Sequence, residues 1–308
     1  MKSKIFIAAV ILLAGLKSYC QDPSVTQLKT TAERSVADDT THKLGWKTGG
    51  VLNLGIAQGS TSNWAAGGEQ FSLTITSFLN LYANHKTEKT KWVNNLDLFY
   101  AMQQTTSQGM RKNDDRIDLY SKYTYKIGGN WSFGVVGNFR TQFTDGYDYN
   151  KTPEKRISDL FAPAYLTIAP GFEWAQNDDF SIFLSPISAR WVYVKSDEDS
   201  LGPRYGLDPG ETSKFEAGAF VSVNFRKEVA KNIGIKSRLD LYSNYLKNPQ
   251  NVDIFWTNVI AIKLNKWLAL TYNFDLIYDD DVRLFGPSGD APRTQIKSVL
   301  SVGFSGKF

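Results

Sequence analysis

Few groups in this chain could do chemistry, and they are of few kinds. Two histidines, His42 and His85, and one cysteine, Cys20, stand beside 35 lysines and arginines and 31 acids. Covalent catalysis needs a nucleophile activated by a base that a third group orients. His42 lies in a polar stretch without period and His85 in a short turn, so neither stands on a strand near the outer rim beside a nucleophile. Carboxylates are the remaining candidates. Asp97, Asp118, Asp240 and Asp275 fall on the polar parity of extended segments, among Arg116, Lys122, Arg140, Arg226, Lys236 and Arg238. Paired acids could serve hydrolysis. The same charges could instead pair with one another and fill an interior, because an isolated buried charge is costly. Asp279, Asp280 and Asp281, with Asp290, and the run Asp197, Glu198, Asp199 offer oxygens that suit a hard cation such as calcium. Neither run has EF-hand spacing, and solvated loop charge explains both. No phosphate-cradling glycine loop and no cysteine–histidine metal spacing occurs. No catalytic residue is therefore assigned and no cofactor is expected.

The elements that carry these charges follow a two-residue period. In the last segment Ile296, Leu300, Val302, Phe304 and Phe308 share one parity, and Gln295, Lys297, Ser301, Ser305 and Lys307 hold the other. Successive strand side chains point to opposite faces, so such a strand has one apolar face and one wet face. The pattern recurs about a dozen times from Trp46 onward. Leu52, Leu54 and Ile56 begin it, and Phe71, Leu73, Ile75, Leu79 and Leu81 follow. Ile117, Leu119, Tyr123, Tyr125 and Ile127 alternate with Arg116, Asp118, Lys122, Thr124 and Lys126. Pro186 interrupts a seventh strand and predicts a bulge with a change of parity.

The connections predict closure. Short ones (His85–Thr90, Gly128–Asn130, Gln176–Asp179, Lys227–Asn232, Asn265–Lys266) alternate with mostly longer ones (Gly59–Gly68, Gln103–Asp115, Thr144–Ser158, Lys195–Lys214, Asp279–Thr294). Aromatics gather at strand ends: Trp46, Trp92, Tyr125, Trp131, Trp174, Phe225 and Phe308 at the short-turn end, and Tyr100, Phe143, Phe215, Tyr245 and Tyr278 at the other. Rings of this kind favour the two membrane interfaces. A soluble barrel or sandwich would explain alternation, but not the girdles and the loop asymmetry together. The expectation is an all-β fold, a transmembrane antiparallel up-and-down β-barrel of about 12 strands over residues 46–308, with a polar lumen.

Two segments precede it. Lys2 and Lys4, an apolar run from Ile5 to Leu16, and Ser18 and Cys20 before Gln21 read as a signal peptide over residues 1–20. The run is shorter than the about 20 apolar residues a spanning helix needs. Cys20 could alternatively carry a lipid. Cleavage removes Lys2, Lys4 and Lys17 and no acid, so the formal charge falls from +4 to +1. That balance, without a basic tract, gives no reason to expect nucleic acid as a partner. Residues 21–45 are polar and aperiodic and read as a flexible periplasmic lead-in.

Several stretches resemble one family of Bacteroidota outer-membrane proteins catalogued only as a domain of unknown function. They are Ser60–Glu69 (STSNWAAGGE), Asn138–Phe143 (NFRTQF), Leu207–Glu211, Asn248–Val252 and Tyr278–Asp281. The resemblance implies an outer-membrane location in a Gram-negative, Bacteroidota-like bacterium. It implies a barrel in that bilayer, with the barrel-assembly machinery as its partner during biogenesis, and it supplies no activity. Asn63, Trp64, Gly67 and Gly68 within the first stretch could form an inward constriction or a partner surface, or simply a turn with an interfacial anchor. Two functions follow for the whole. One is a narrow channel for small polar solutes, mildly favouring anions because Arg116, Lys122, Arg140, Arg226, Lys236 and Arg238 outnumber the lumen acids. The other is a non-conducting barrel serving as an accessory subunit in envelope assembly or secretion. An outer-membrane hydrolase lacks a histidine base.

Overall fold

A computed structural model describes residues 44–60, 62, 70–149, 153–177, 179–195, 201–230, 232–265, 268–281 and 291–307. Its strands are β1 (Gly45–Ser60), β2 (Phe71–Lys86), β3 (Thr90–Thr105), β4 (Gly109–Gly128), β5 (Trp131–Thr141), β6 (Gly146–Asp148) and β7 (Lys155–Ser158). They continue with β8 (Ala164–Asn177), β9 (Phe180–Tyr193), β10 (Ser213–Ala230), β11 (Ile233–Asn244), β12 (Asp253–Lys263), β13 (Leu268–Tyr278) and β14 (Gln295–Lys307). One helical turn, α1 (Leu201–Arg204), lies between β9 and β10. Every strand except β6 and β7 belongs to one closed antiparallel barrel in which each strand pairs with its sequence neighbours. β1 closes the ring on β14, with Leu54 opposite Phe304 and Val51 opposite Lys307.

The alternation decides which face meets what. Ile56 is 71% exposed, Leu119 48% and Phe304 60%, whereas Asp97 and Asp118 are fully buried. This inverts the arrangement of a water-soluble fold, where apolar side chains pack inward. A continuous belt of exposed Leu, Ile and Phe far exceeds the few hundred Å² of apolar patch that a soluble monomer tolerates. Hydrocarbon is the solvent that makes such a surface favourable, and a closed ring leaves no unpaired backbone edge inside it. No helix among the described residues is long and apolar enough to cross a membrane. The strands, with their exposed apolar parity, do the crossing. Rings mark both rims: Trp46 packs on Trp92 at 5.8 Å at the short-turn end, and Tyr100 meets Phe143 at 6.5 Å at the other.

Pro186 marks a bulge, as its position predicts. β10 pairs Gly218 with Ser188 and then Phe220 with Ser185, skipping the proline. The carbonyls this frees are satisfied locally. The Ser185 hydroxyl is within 2.6 Å of the Pro170 carbonyl and 3.1 Å of that of Ile187, and the Tyr245 hydroxyl donates to Pro186 at 3.0 Å. Gly218 is required beside the bulge, because a Cβ there would run into the Ser243 carbonyl.

Two expectations need correction. The connection read as a long loop over Gln103–Asp115 is mostly strand: β3 and β4 continue pairing to Thr105 and Gly109 and leave a tight turn between them. Polar pairs such as Gln103 with Arg111 gave no apolar alternation to follow, because this part of the hairpin projects beyond the girdle marked by Tyr100. The stretch Thr144–Ser158 holds the small hairpin β6–β7, outside the barrel sheet. Its strands are too short for a period to register.

A charge on the outer face near mid-height reports the bilayer directly. Leu119→Arg is expected to destabilise the refolded barrel by about 2–4 kcal/mol in liposomes, measured by denaturant unfolding of Trp fluorescence.

Candidate functional site

The polar parity of the strands converges on the lumen, where charge is packed as layers of ion pairs. In the β3–β5 wall Asp118 takes Arg140 at 3.1 Å and the Asn138 amide at 2.6 Å. Asp97 accepts from the Asn80 amide at 2.5 Å. Lys122 reaches across to Glu173 of β8 at 2.7 Å. In the opposite wall Arg238 pairs with Asp240 at 2.7 Å and lies over the Tyr120 ring at 5.7 Å. These are charge-assisted contacts in a low-dielectric interior, where each partner offsets the desolvation of the other. An apolar layer joins them: Phe183, Val136 and Ala169 are buried together, with Tyr120 and Phe220 against them.

A second network lies toward the long-loop end. Arg190 pairs with Glu216, reaches Asp253 at 3.3 Å and lies 4.2 Å over the Tyr242 ring. Lys214 bridges Glu216 at 2.7 Å and Asp281 at 3.0 Å. Above it residues 201–207, between β9 and β10, fold inward. Leu201, Tyr205 and Leu207 bury against Val192, Val194 and Ala162, with Tyr165 packed on them. The Tyr205 hydroxyl donates to the Ile157 carbonyl at 2.8 Å and ties this cap to the neighbouring connection. Gly206 turns the chain at φ +77°, and a Cβ there would sit 2.6 Å from the Lys214 ammonium. Asp281 lies just past β13. Burial opposes its ionisation, and the Lys214 ammonium overrides burial and holds the carboxyl below its ordinary range. Burial pushes the neighbouring Asp279 up.

The residues predicted to line the lumen are placed as follows. Asp97, Arg116, Asp118, Lys236, Arg238 and Asp240 are buried inside the ring, and Lys122 and Arg140 join them through their ion pairs. Arg226 lies half-buried at the short-turn end, where its backbone N–H donates to the Asp179 carbonyl at 2.7 Å. Asp275 stands in β13 opposite Thr257 and Lys297; its side chain lies outside the described residues. Asn63, Trp64, Gly67 and Gly68 lie outside them altogether, as do His42, Asp197, Glu198, Asp199 and Asp290. His85 packs on Trp46 at 4.9 Å in the short-turn girdle, away from the carboxylate layers.

Asp279, Asp280 and Asp281 do not converge. Asp279 accepts the Asp281 backbone N–H at 2.9 Å, Asp280 takes the Asn251 amide at 2.7 Å, and Asp281 takes Lys214. Among the described residues no group of three potential ligands could hold a metal ion. Sequence reasoning missed Arg190, Lys214, Glu173 and Asp253, whose signal was parity alone. Arg190 alternates with Trp191, and Glu216 with Phe215. It also missed Asp115, which accepts the backbone N–H groups of Phe143 and Thr144 at 2.8 Å each and Lys112 at 3.0 Å.

Strand pairing, the exposed apolar belt and the buried polar lumen together define a membrane-spanning β-barrel. Residues 56–147 match the model of a family described as protein of unknown function (DUF3078), in keeping with the resemblance read from the sequence. No curated protein matches the chain. Among solved structures, the COG4313 outer membrane channel from Pseudomonas putida F1 is 8% identical, with a TM-score of 0.42 over 88% of this chain and 98% of that one. The outer membrane phospholipase A from Escherichia coli is 8% identical, with a TM-score of 0.36 over 91% and 98%. The translocator domain of the autotransporter NalP from Neisseria meningitidis is 12% identical, with a TM-score of 0.33 over 92% and 100%.

Removing one partner of a lumen pair strands the other. Asp118→Asn is expected to cost about 3 kcal/mol, part of which Asp118→Asn/Arg140→Met recovers because no unpaired charge is left; chemical unfolding of the three proteins checks this. Asp281 carries the pH dependence of the cap. A carboxyl held low contributes stability above its unfolded value of about 4, and that stability is lost as pH falls through the folded one. Amide exchange at 201–207 should therefore quicken below about pH 4, and Asp281→Asn should exchange at the fast rate already at neutral pH.

Proposed function

We propose that this protein is a closed, non-conducting barrel of a Gram-negative outer membrane. It is delivered there after leader cleavage by the barrel-assembly machinery, and serves through its outer surface as an accessory subunit in envelope assembly or secretion. One observation carries the reading: the charged side chains that would line a pore are desolvated. Asp97, Arg116, Asp118 and Glu216 are at most 2% exposed. A conducting lumen needs its charges wetted, since the ion exchanges its hydration shell for them in transit. Here they are engaged by one another, by amides and by rings such as Phe99 and Tyr120, beneath a cap with its own apolar core. Twelve strands enclose a lumen small enough for side chains and an inward connection to fill.

A channel for small polar solutes is the second reading, and one feature favours it. On the β2 wall the lumen-facing Ser72, Thr74 and Thr76 are small and only partly buried, so any passage would run along that side, away from the ion pairs.

Planar-bilayer recording separates the two. The closed barrel should be silent. Replacing residues 201–207 by a flexible linker should leave it silent, because the Phe183 layer still blocks the lumen below. Discrete conductance steps in the unaltered protein would overturn the reading. Steps that appear only after cap removal would do so too, and would reassign the connection as a gate. Affinity purification from native membranes should recover a stoichiometric companion.

A further inference from the structure

The seam between β1 and β14 is shorter than any other contact in the ring. It pairs Val51, Leu52, Asn53 and Leu54 with Lys307, Gly306, Ser305 and Phe304. The other eleven barrel contacts each run for ten residue pairs or more. Both strands nevertheless run on. β1 stays paired with β2 as far as Ser60, and β14 stays paired with β13 back to Gln295. Continued register would set Ile56 against Val302 and Gln58 against Leu300, but among the described residues no pairing joins them. Above Leu54 the two edges part. Exposure follows: along the lipid-facing parity of β1 it rises from 41% at Leu52 to 50% at Leu54 and 71% at Ile56. Gln58, Gly59 and Ser60 beyond them are exposed as well. The lumen side of this wall has room too. A Cβ added to Gly59 would meet nothing nearer than the Ser72 hydroxyl at 3.9 Å, whereas one at Gly171 or Gly218 would strike backbone. Ser72, Thr74 and Thr76 continue the same wall with small, partly buried side chains.

We propose that the upper seam is a lateral opening that seats one amphiphile of the outer leaflet. Its hydrocarbon chain lies along Leu54, Ile56 and Ile75, and its polar head lies at the parted edges. This half of the seam points toward the long-loop end, and so toward the outer leaflet. The rule that leaves no backbone edge in lipid holds where the seam is paired and lapses above it. That lapse fixes the class of ligand. Backbone N–H and C=O groups on an open edge beside hydrocarbon are costly without partners. A plain hydrocarbon supplies none. A head that both donates and accepts, such as a hydroxyl or an amide, satisfies both kinds, and the Ser72 and Thr74 hydroxyls stand on the lumen side to take it. The opening leads sideways into lipid and needs no aqueous passage, so it stands or falls apart from the silent lumen.

The test uses the mature chain, residues 21–308, which carries no cysteine, folded into liposomes. A disulfide needs Cα atoms within about 7 Å of each other, so oxidation reads the gap directly. Leu54→Cys/Phe304→Cys, at a paired position, should cross-link fully. Ile56→Cys/Val302→Cys, two residues further along the same register, should stay reduced. Cross-linking of both pairs to the same extent would overturn the opening. Access from the bilayer is read with dodecylmaleimide, which dissolves in the membrane. It is offered to lumen thiols at Thr74→Cys and, on the β10 wall, at the half-buried Asn224→Cys. Each rate is divided by the rate with iodoacetamide, which removes the thiol's own reactivity. The ratio should be about tenfold higher at position 74, and equal ratios would overturn the site. Dodecanamide should protect the thiol at position 74, and dodecane should not. Equal protection by both would overturn the hydrogen-bonding seat. Conductance bears on none of these outcomes.

Discussion

Everything in this barrel depends on the seam between β1 and β14. In hydrocarbon a backbone N–H or C=O without a partner costs several kcal/mol, and water cannot supply one. Eleven of the twelve strand contacts join sequence neighbours through hairpins or longer connections, but the seam joins the two ends of the barrel sheet. Leu52 and Leu54 of β1 meet Gly306 and Phe304 of β14 there and keep their side chains in the lipid. A slip of one residue would turn the lipid-facing Ile296 and Phe304 of β14 inward. Alternation and closure are therefore one requirement: the belt is favourable only if the ring shuts, and the ring shuts only in the register the belt dictates.

A closed ring then creates a second problem, since its interior must be filled. The lumen here is occupied by charge arranged as complementary pairs, with aromatics between them. Arg238 shows the pattern in small: its Nε donates to Asp240 two residues along the strand, and its face rests on Tyr120 from the opposite wall. Pairs such as Lys122 with Glu173 join β4 to β8, which are not adjacent in the ring. Such contacts stiffen the barrel across its bore, where the sheet has no hydrogen bonds of its own. The interior charges thereby do for this fold what an apolar core does for a soluble one. Arg116 departs from that logic, with the Phe99 ring against its guanidinium.

The cap extends the same economy to the rim. Val192 and Val194 continue the inward parity of β9 past the charged layers, where apolar side chains would otherwise meet water. Leu201, Tyr205 and Leu207 cover them, and Lys214 and Asp281 pin the edge of the cap to two barrel walls. This core is small and stands on loop residues, so it belongs to the low-stability end of the molecule.

Strand parity, strand number, the bulge at Pro186 and both aromatic girdles were legible along the chain, because each is a local consequence of a two-residue period meeting lipid. The inward placement of Asp97, Asp118, Lys236, Arg238 and Asp240 followed from the same period. Partner choice was not legible. Asp118 takes Arg140 from the neighbouring strand, Arg190 takes Glu216 and Asp253 from two others, and Asp279, Asp280 and Asp281 diverge although adjacent. Those outcomes depend on inter-strand register and on how connections fold back. Nor could the chain alone disclose that β3 and β4 run on past the membrane as a polar hairpin, where no solvent contrast imposes a pattern. Periodicity records which solvent each side chain meets. Only the closed ring decides which side chains meet each other, because those contacts join residues dozens of positions apart.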